Sequence, residues 1–294
     1  MTKYIRSLLE LIRFSHTVFA LPFALTGAAL AWNHPPGFHF GQLVGILLCM
    51  VFARSAAMAF NRLADRQFDA VNPRTAGRHL PAGLLSPAVV WLFTALCVAG
   101  FFASTTIFLA YGNPWPVYLA APVLLFIGAY SYTKRFTTLA HFWLGASLML
   151  APLAAWIAIR GMTELLVPAL LGGAVLFWVA GFDIFYACQD VDFDRKAKLH
   201  SVPAALGVPA ALRVALLCHL VMLGLLLALY FAARPDLGAI YLTGIAAVAI
   251  LLTYEHWLVR PDDLSRVNQA FLQVNGVISV GLFCVVLLQL AVRA

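Results

Sequence analysis

Charge is scarce in this chain. Only 11% of its 294 residues are Asp, Glu, Lys or Arg, against about 25% in a soluble domain. Hydrophobic residues make up 63%, and together these proportions exclude a soluble globular fold. Acid is scarcer still: twelve Asp and Glu stand against nineteen Lys and Arg, for a formal charge of +7. The basic residues lie between apolar runs rather than on one polar face, which argues against nucleic acid as a partner. Cysteine is sparse as well. Cys49, Cys97, Cys188, Cys218 and Cys284 fall in apolar runs without a CxxC pair, so neither a disulfide scaffold nor a zinc framework is expected. No low-complexity linker or soluble segment interrupts the chain, and nothing in it implies an obligate protein partner.

Long apolar runs are what the chain has. About 20 apolar residues cross a bilayer as a helix, and about nine such spans can be read, near 16–33, 42–65, 87–110, 115–133, 139–160, 165–189, 208–232, 236–258 and 267–292. The expected fold is all-α: a single polytopic membrane domain, 1–294, embedded in a lipid bilayer as a helix bundle over 16–292 around a central cavity. Residues 1–14 place Ile5, Leu8, Leu9 and Ile12 on one helical face and Lys3, Arg6, Glu10 and Arg13 on the other. That pattern predicts an amphipathic surface helix. A secretory signal ending near Ala29-Leu30-Ala31 is discounted, because further spans follow and no soluble domain does. Lysine and arginine set the orientation. Lys3, Arg6, Arg13, Arg66, Arg74, Arg78, Lys134, Arg135, Arg195, Lys196, Lys198, Arg260 and Arg266 fall on one side. Arg160, Arg234 and Arg293 fall on the other. The positive-inside rule then places the N-terminus in the cytoplasm and the C-terminus outside.

Six of the twelve acids are gathered in two short stretches at span ends. In NRLADRQFDAVNPRTAGRHLPAG, Asn61, Asp65 and Asp69 are spaced i, i+4, i+8, which puts three oxygen-bearing side chains on one helical face. Oxygen ligands suit a hard divalent cation. Arg62, Arg66, Arg74 and Arg78 surround them, and guanidinium groups beside metal-binding carboxylates suit a diphosphate. The second stretch, DIFYACQDVDFDRKAKLHS, repeats the grammar with Asp183, Tyr186, Asp190 and Asp194, followed by Arg195, Lys196 and Lys198. Asp183 precedes Asp190 by one heptad and is expected on the same face. Asp192 is rotated off it. Both stretches fall on the cytoplasmic side, where two acidic helix ends could clamp one diphosphate through bridging cations.

Other residues join this set. Arg54 lies inside the second span, two helical turns before Asn61. An intramembrane guanidinium costs on the order of 2.5–3.5 kcal/mol and so marks a functional candidate. It is expected either to bind the carboxylate of a substrate or to pair with a motif acid such as Asp183. Lys134, in YSYTKRF, is either an interfacial anchor or a diphosphate ligand. Lys196 follows the second acid set directly and is expected to contact diphosphate. Tyr186 could donate to a phosphate oxygen. His79, His141, His200, His219 and His256 lack metal-ligand spacing and are expected to make local hydrogen bonds. Asn268, Gln269, Gln273 and Asn275 open the last span and suit interhelical hydrogen bonds.

At these residues the chain resembles the UbiA superfamily of intramembrane aromatic prenyltransferases. The family's NxxxDxxxD and DxxxD motifs stand here as Asn61-Asp65-Asp69 and Asp190-Asp194. RSAAMAFNRLADRQFD, RTAGRHLPAG, YSYTKRF and DIFYACQDVDFD are similar to the quinone-pathway branch typified by 4-hydroxybenzoate polyprenyltransferase. The resemblance implies nine helices in a bacterial-type inner membrane and Mg2+ as cofactor, held by Asn61, Asp65, Asp69, Asp190 and Asp194. It also implies a polyprenyl diphosphate donor and an aromatic hydroxy acid as acceptor. The donor would ionise to an allylic cation, and a ring carbon ortho to the hydroxyl would attack it. Arg62 stands where the family often has Asp, His79 where Pro is common, and His200 where ubiquinone-pathway members have Lys. QDVDFDRKAKLHSVP looks more like a UbiA-like subgroup, parts of which serve the futalosine route to menaquinone, where 1,4-dihydroxy-6-naphthoate is prenylated. Two other classes compete. A cation-coupled transporter would place its acids near the midplane, and a structural membrane subunit has no use for six clustered acids.

Overall fold

The computed structural model describes residues 2–12, 19–35 and 37–293, with the backbone alone for 2–6. Among these residues the fold is helical, and a single isolated bridge, Arg260 with Asp263, is its only extended pairing. Eight helices are long and apolar enough to cross a membrane, as the low charge requires. They follow the predicted spans to within a few residues. The first expected span is represented by a shorter helix, Leu21–Trp32. Its expected start at residue 16 lies outside the described residues, as do Arg13 and the side chains of Lys3, Ile5 and Arg6.

The chain divides into two compact units, Met1–Thr17 with His39–Tyr132, and Val18–Phe38 with Thr133–Ala294. In the first unit, α1 (Thr2–Leu11) is followed by α3 (Phe40–Ala64), α4 (Arg66–Val71), α5 (Pro87–Thr105, extended by a 3-10 turn to Tyr111) and most of α6 (Trp115–Thr133). Leu21–Trp32 is α2 and belongs to the second unit. α3 packs on α5. The amphipathic first helix buries part of the stripe read from sequence. Leu11 and Ile12 are sealed against Ala59, Leu63, Leu85 and Val90 with Leu8 partly buried beside them, whereas Leu9 is 47% exposed. Ser86 caps α5 by accepting from the Val89 N–H, which satisfies one orphan donor of the helix start.

In the second unit, α2 packs on α7 (Ala140–Arg160), α7 on α8 (Leu166–Ala187), and α8 on α11 (Val208–Ala232). α11 meets α12 (Ala239–Leu258), which packs on α14 (Asn275–Arg293), and α14 returns to α2. Lipid is as apolar as leucine, so such helices associate through close packing and polar contacts rather than hydrophobic burial. Gly145 supplies the close approach: a Cβ there would meet the Leu176 carbonyl oxygen at 2.2 Å. Gly27 does the same for α2, with the Pro152 carbonyl at 2.6 Å. The expected polar contact at the head of the last span is Asn275, which donates to Glu255 at 2.7 Å and accepts from the Trp178 indole at 2.6 Å. A short π-helical stretch, Ala270–Val274, precedes it. Short segments carry the second acidic stretch: a 3-10 turn Cys188–Asp190, α9 (Val191–Lys196) and α10 (Val202–Leu206). α13 (Val267–Gln269) leads into the π-helical stretch.

Candidate active site

Asn61, Asp65 and Asp69 sit where α3 gives way to α4 in the first unit. The expected unbroken helix is interrupted. α3 ends at Ala64, and Asp65 takes φ −92° and ψ 2°. The i→i−4 ladder nevertheless continues, from Asp65 N–H to the Asn61 carbonyl (2.9 Å) and from Asp69 N–H to the Asp65 carbonyl (2.8 Å). The three residues therefore keep their register along one side. The Asn61 amide donates to Asp65 Oδ2 at 2.9 Å and to Ser131 Oγ at 3.4 Å. Asp69 is 6% exposed. Arg78 Nη1 donates to its Oδ1 at 2.6 Å, and Arg62 Nη1 lies 3.9 Å from Oδ2. Thr75 Oγ1 donates to the Asp69 carbonyl, which ties the following loop to the acid. Arg66 and Arg74 are exposed. Arg54, higher on α3, is half-buried.

In the second unit, Asp190 and Asp194 are buried, with 7% and 2% exposure, whereas Asp192 between them is exposed. This matches the expected facing. Lys134 Nζ lies 3.8 Å from Asp194 Oδ2, and the Lys134 carbonyl accepts from the His200 N–H at 2.6 Å. Lys196 and Arg195 are exposed. Arg195 spends its Nε on the Ala204 carbonyl, closing the loop after the acids. Tyr186 stacks obliquely on Phe271 at 4.7 Å.

A change of helix type separates Asp183 from Asp190. The 3-10 turn Cys188–Asp190 winds about 60° further over three residues than an α-helix would, so heptad spacing no longer implies a shared face. Asp183 instead receives a hydrogen bond from His141, with Nδ1 2.6 Å from Oδ2. Arg78, one of the arginines expected around the first acids, and His141, expected only as a local hydrogen-bonding residue, thus each hold a carboxylate of the two stretches. The arginine run signalled the first. Nothing local signalled the second, 42 residues away from its partner.

The donor set is chemically suited to a hard divalent cation, being made of carboxylate and amide oxygens. Among the described residues no three His, Cys, Asp or Glu side chains gather into a cage by themselves. Among the described residues three acid oxygens are nonetheless buried without a hydrogen bond, Asp69 Oδ2, Asp194 Oδ2 and Glu255 Oε2, and the first two belong to the acidic stretches. A buried carboxylate oxygen left so is costly and calls for a ligand, and the residues fit Mg2+ on that ground.

The model of the UbiA prenyltransferase family matches residues 20–278. The 4-hydroxybenzoate octaprenyltransferase of Marinobacter nauticus is 32% identical over 237 residues, which cover 80% of this chain and 78% of that one. The enzyme of the same name from Aliivibrio fischeri strain MJ11 is 31% identical over 88% of both chains. Among solved structures, an apo UbiA homologue from Aeropyrum pernix K1 superposes with TM-score 0.79 at 30% identity, covering 95% of this chain and 98% of that one. A UbiA homologue from Archaeoglobus fulgidus bound to GPP and Mg2+ has the same fold, with TM-score 0.75 at 22% identity over 97% and 99% of the two chains.

Proposed function

Because the chain belongs to the UbiA prenyltransferase family, we propose that it is an integral membrane enzyme that moves a polyprenyl group from its diphosphate to a hydroxylated aromatic acid. The relatives that share its length are named for 4-hydroxybenzoate, which favours that acceptor and a place in quinone biosynthesis. The observation that carries the reading is the pair of buried acid oxygens, Asp69 Oδ2 and Asp194 Oδ2, each beside a basic side chain and each without a hydrogen bond.

In this reading Asn61, Asp65, Asp69, Asp190 and Asp194 hold Mg2+, and both acid sets serve one diphosphate. When bound, the metal supplies positive charge against the leaving diphosphate. Arg62 and Arg78 orient Asp69 and add positive charge near it. Lys134 and Lys196 meet the diphosphate, and Tyr186 donates to a phosphate oxygen. Arg54 binds the acceptor's carboxylate with its planar fork. The apolar helices exclude water from the allylic cation. The membrane is the cytoplasmic one, with both acid sets on the cytoplasmic side and the C-terminus outside. The whole chain, 1–294, acts as one catalytic domain.

The test is turnover by purified protein in detergent, given polyprenyl diphosphate, Mg2+ and either 4-hydroxybenzoate or 1,4-dihydroxy-6-naphthoate. The expected result is prenylated 4-hydroxybenzoate and free diphosphate, only with metal. Preferential prenylation of the naphthoate would reassign the acceptor. No diphosphate release with either acid would remove the reading.

A further inference from the structure

His141 is fully buried in the first turn of α7, and both ring nitrogens are engaged. The Val202 N–H, at the start of α10, donates to Nε2 at 3.3 Å. An accepting Nε2 places the ring proton on Nδ1, and Nδ1 faces Asp183 Oδ2 at 2.6 Å. One imidazole thus ties together α7, α8 and the loop that leaves the second acid set. Its partner is not sealed in the same way: the Asp183 side chain keeps 15% exposure against 0% for His141. His141 occupies Oδ2, and no other hydrogen bond to this carboxylate is found among the described residues.

A carboxylate only accepts hydrogen bonds. In the reaction proposed above, on which this inference rests, the donor's diphosphate and the acceptor's carboxylate are acceptors too. The acceptor's ring hydroxyl is the one group on either substrate that donates. We infer that His141 is a positioning residue that aims Asp183 at this hydroxyl. As the ortho carbon bonds to the prenyl carbon and the diphosphate leaves with the C–O electron pair, positive charge develops on the hydroxyl oxygen; loss of the ortho C–H proton to water or diphosphate then restores the aromatic ring. An O–H···carboxylate bond strengthens as that charge develops, so it favours the transition state over the bound acid. The same bond selects a hydroxylated ring over one that carries an ether.

The test uses the full-length protein and four variants: His141→Leu, His141→Gln, Asp183→Asn and the double variant His141→Leu/Asp183→Asn. The His141→Leu change should lower kcat/KM for 4-hydroxybenzoate roughly ten- to hundredfold, the range for one hydrogen bond to a charged group. The donor's KM should stay within about twofold. The glutamine amide can make both bonds of the imidazole and should restore most of the rate. In the Asp183→Asn background, His141→Leu should cost less than about twofold more, because the two act as one unit. Multiplicative losses, or equal changes in donor and acceptor KM, would overturn the inference. A second measurement needs neither turnover nor a folded His141→Leu protein. Binding of 4-hydroxybenzoate and 4-methoxybenzoate, read by tryptophan fluorescence, should favour the hydroxy acid in the wild type and lose that preference in Asp183→Asn. Equal preference in both proteins would overturn the inference. Wild-type protein that prenylates neither aromatic acid would instead count against the proposed function.

Discussion

Asp69 and Asp194 close the two acidic stretches, and their surroundings differ. Asp69 is met by two guanidinium groups, Arg78 at 2.6 Å and Arg62 at 3.9 Å. Asp194 has, among the described residues, a single ammonium, Lys134, at 3.8 Å. A guanidinium fork fixes the plane of the carboxylate it grips, whereas an ammonium on a four-carbon stem is a movable point charge. The backbone repeats the contrast. The first stretch preserves its i→i−4 bonds through Asp65, and the second passes through a 3-10 turn before α9. The first acid set is therefore oriented by its own basic neighbours. The second has a half-buried lysine beside its last acid. Similar acid spacing does not mean similar roles for the cations beside it.

The largest effect should come from the acids themselves. Alanine at Asp65, Asp69, Asp190 or Asp194 is expected to cut turnover by about two to three orders of magnitude or more, the scale of losing one key electrostatic contact to the transition state, while the protein still inserts. A well-folded Asp190→Ala or Asp194→Ala protein with near-normal turnover would reduce the site to its first half. Next comes the contrast between the cations. Arg78→Ala leaves a buried carboxylate with one fewer partner and should lower stability by about 1–3 kcal/mol, read as a lower Tm in detergent. Lys134→Met also removes a cation from a buried carboxylate, but at 3.8 Å rather than in a hydrogen bond, so it should lower Tm less and raise the donor's KM. If both variants shift only Tm, the lysine is an orienting group like the arginines.

A smaller and more selective effect is expected at Arg54. Replacement by Ala should raise the KM for 4-hydroxybenzoate about tenfold or more, the scale of a charge-assisted contact, with donor and Mg2+ dependence held. Parallel loss of all three would assign Arg54 to the metal site. The smallest change is Asp192→Asn. This side chain is exposed between two buried acids, and its replacement should alter kcat by less than about threefold, as for a surface substitution. A loss equal to that of Asp190→Ala would show that the loop turns over in the working enzyme.

Periodicity and scarcity of charge made the spans legible, and the clustering of acids marked both stretches. The exposure of Asp192 beside buried Asp190 and Asp194 followed from helical geometry alone. The partner of Asp183 did not. A heptad implies a shared face only while the turn stays α, and no residue in CQD announces a 3-10 turn. The His141 bond joins residues 42 apart through the packing of α7 on α8, which local patterns do not encode. The burial of Leu11 was not legible for a related reason. An idealised surface helix buries its stripe in lipid, but here Leu11 is held by Ala59, Leu63 and Val90. The polar cluster at the last span was legible as a need for partners. That Asn275 would find Glu255 and Trp178 was not.

The central claim is that both acid sets serve one metal-bound diphosphate, and ligand-induced stabilisation tests it without relying on turnover. A ligand that binds only the folded protein raises Tm in proportion to the logarithm of its concentration over Kd. Wild-type protein should be stabilised by prenyl diphosphate and Mg2+ together and little by either alone. Asp69→Asn and Asp194→Asn should each lose that response while keeping the unliganded Tm within a few degrees. A full response in the Asp194→Asn protein, or a wild-type response that ignores Mg2+, would contradict the account.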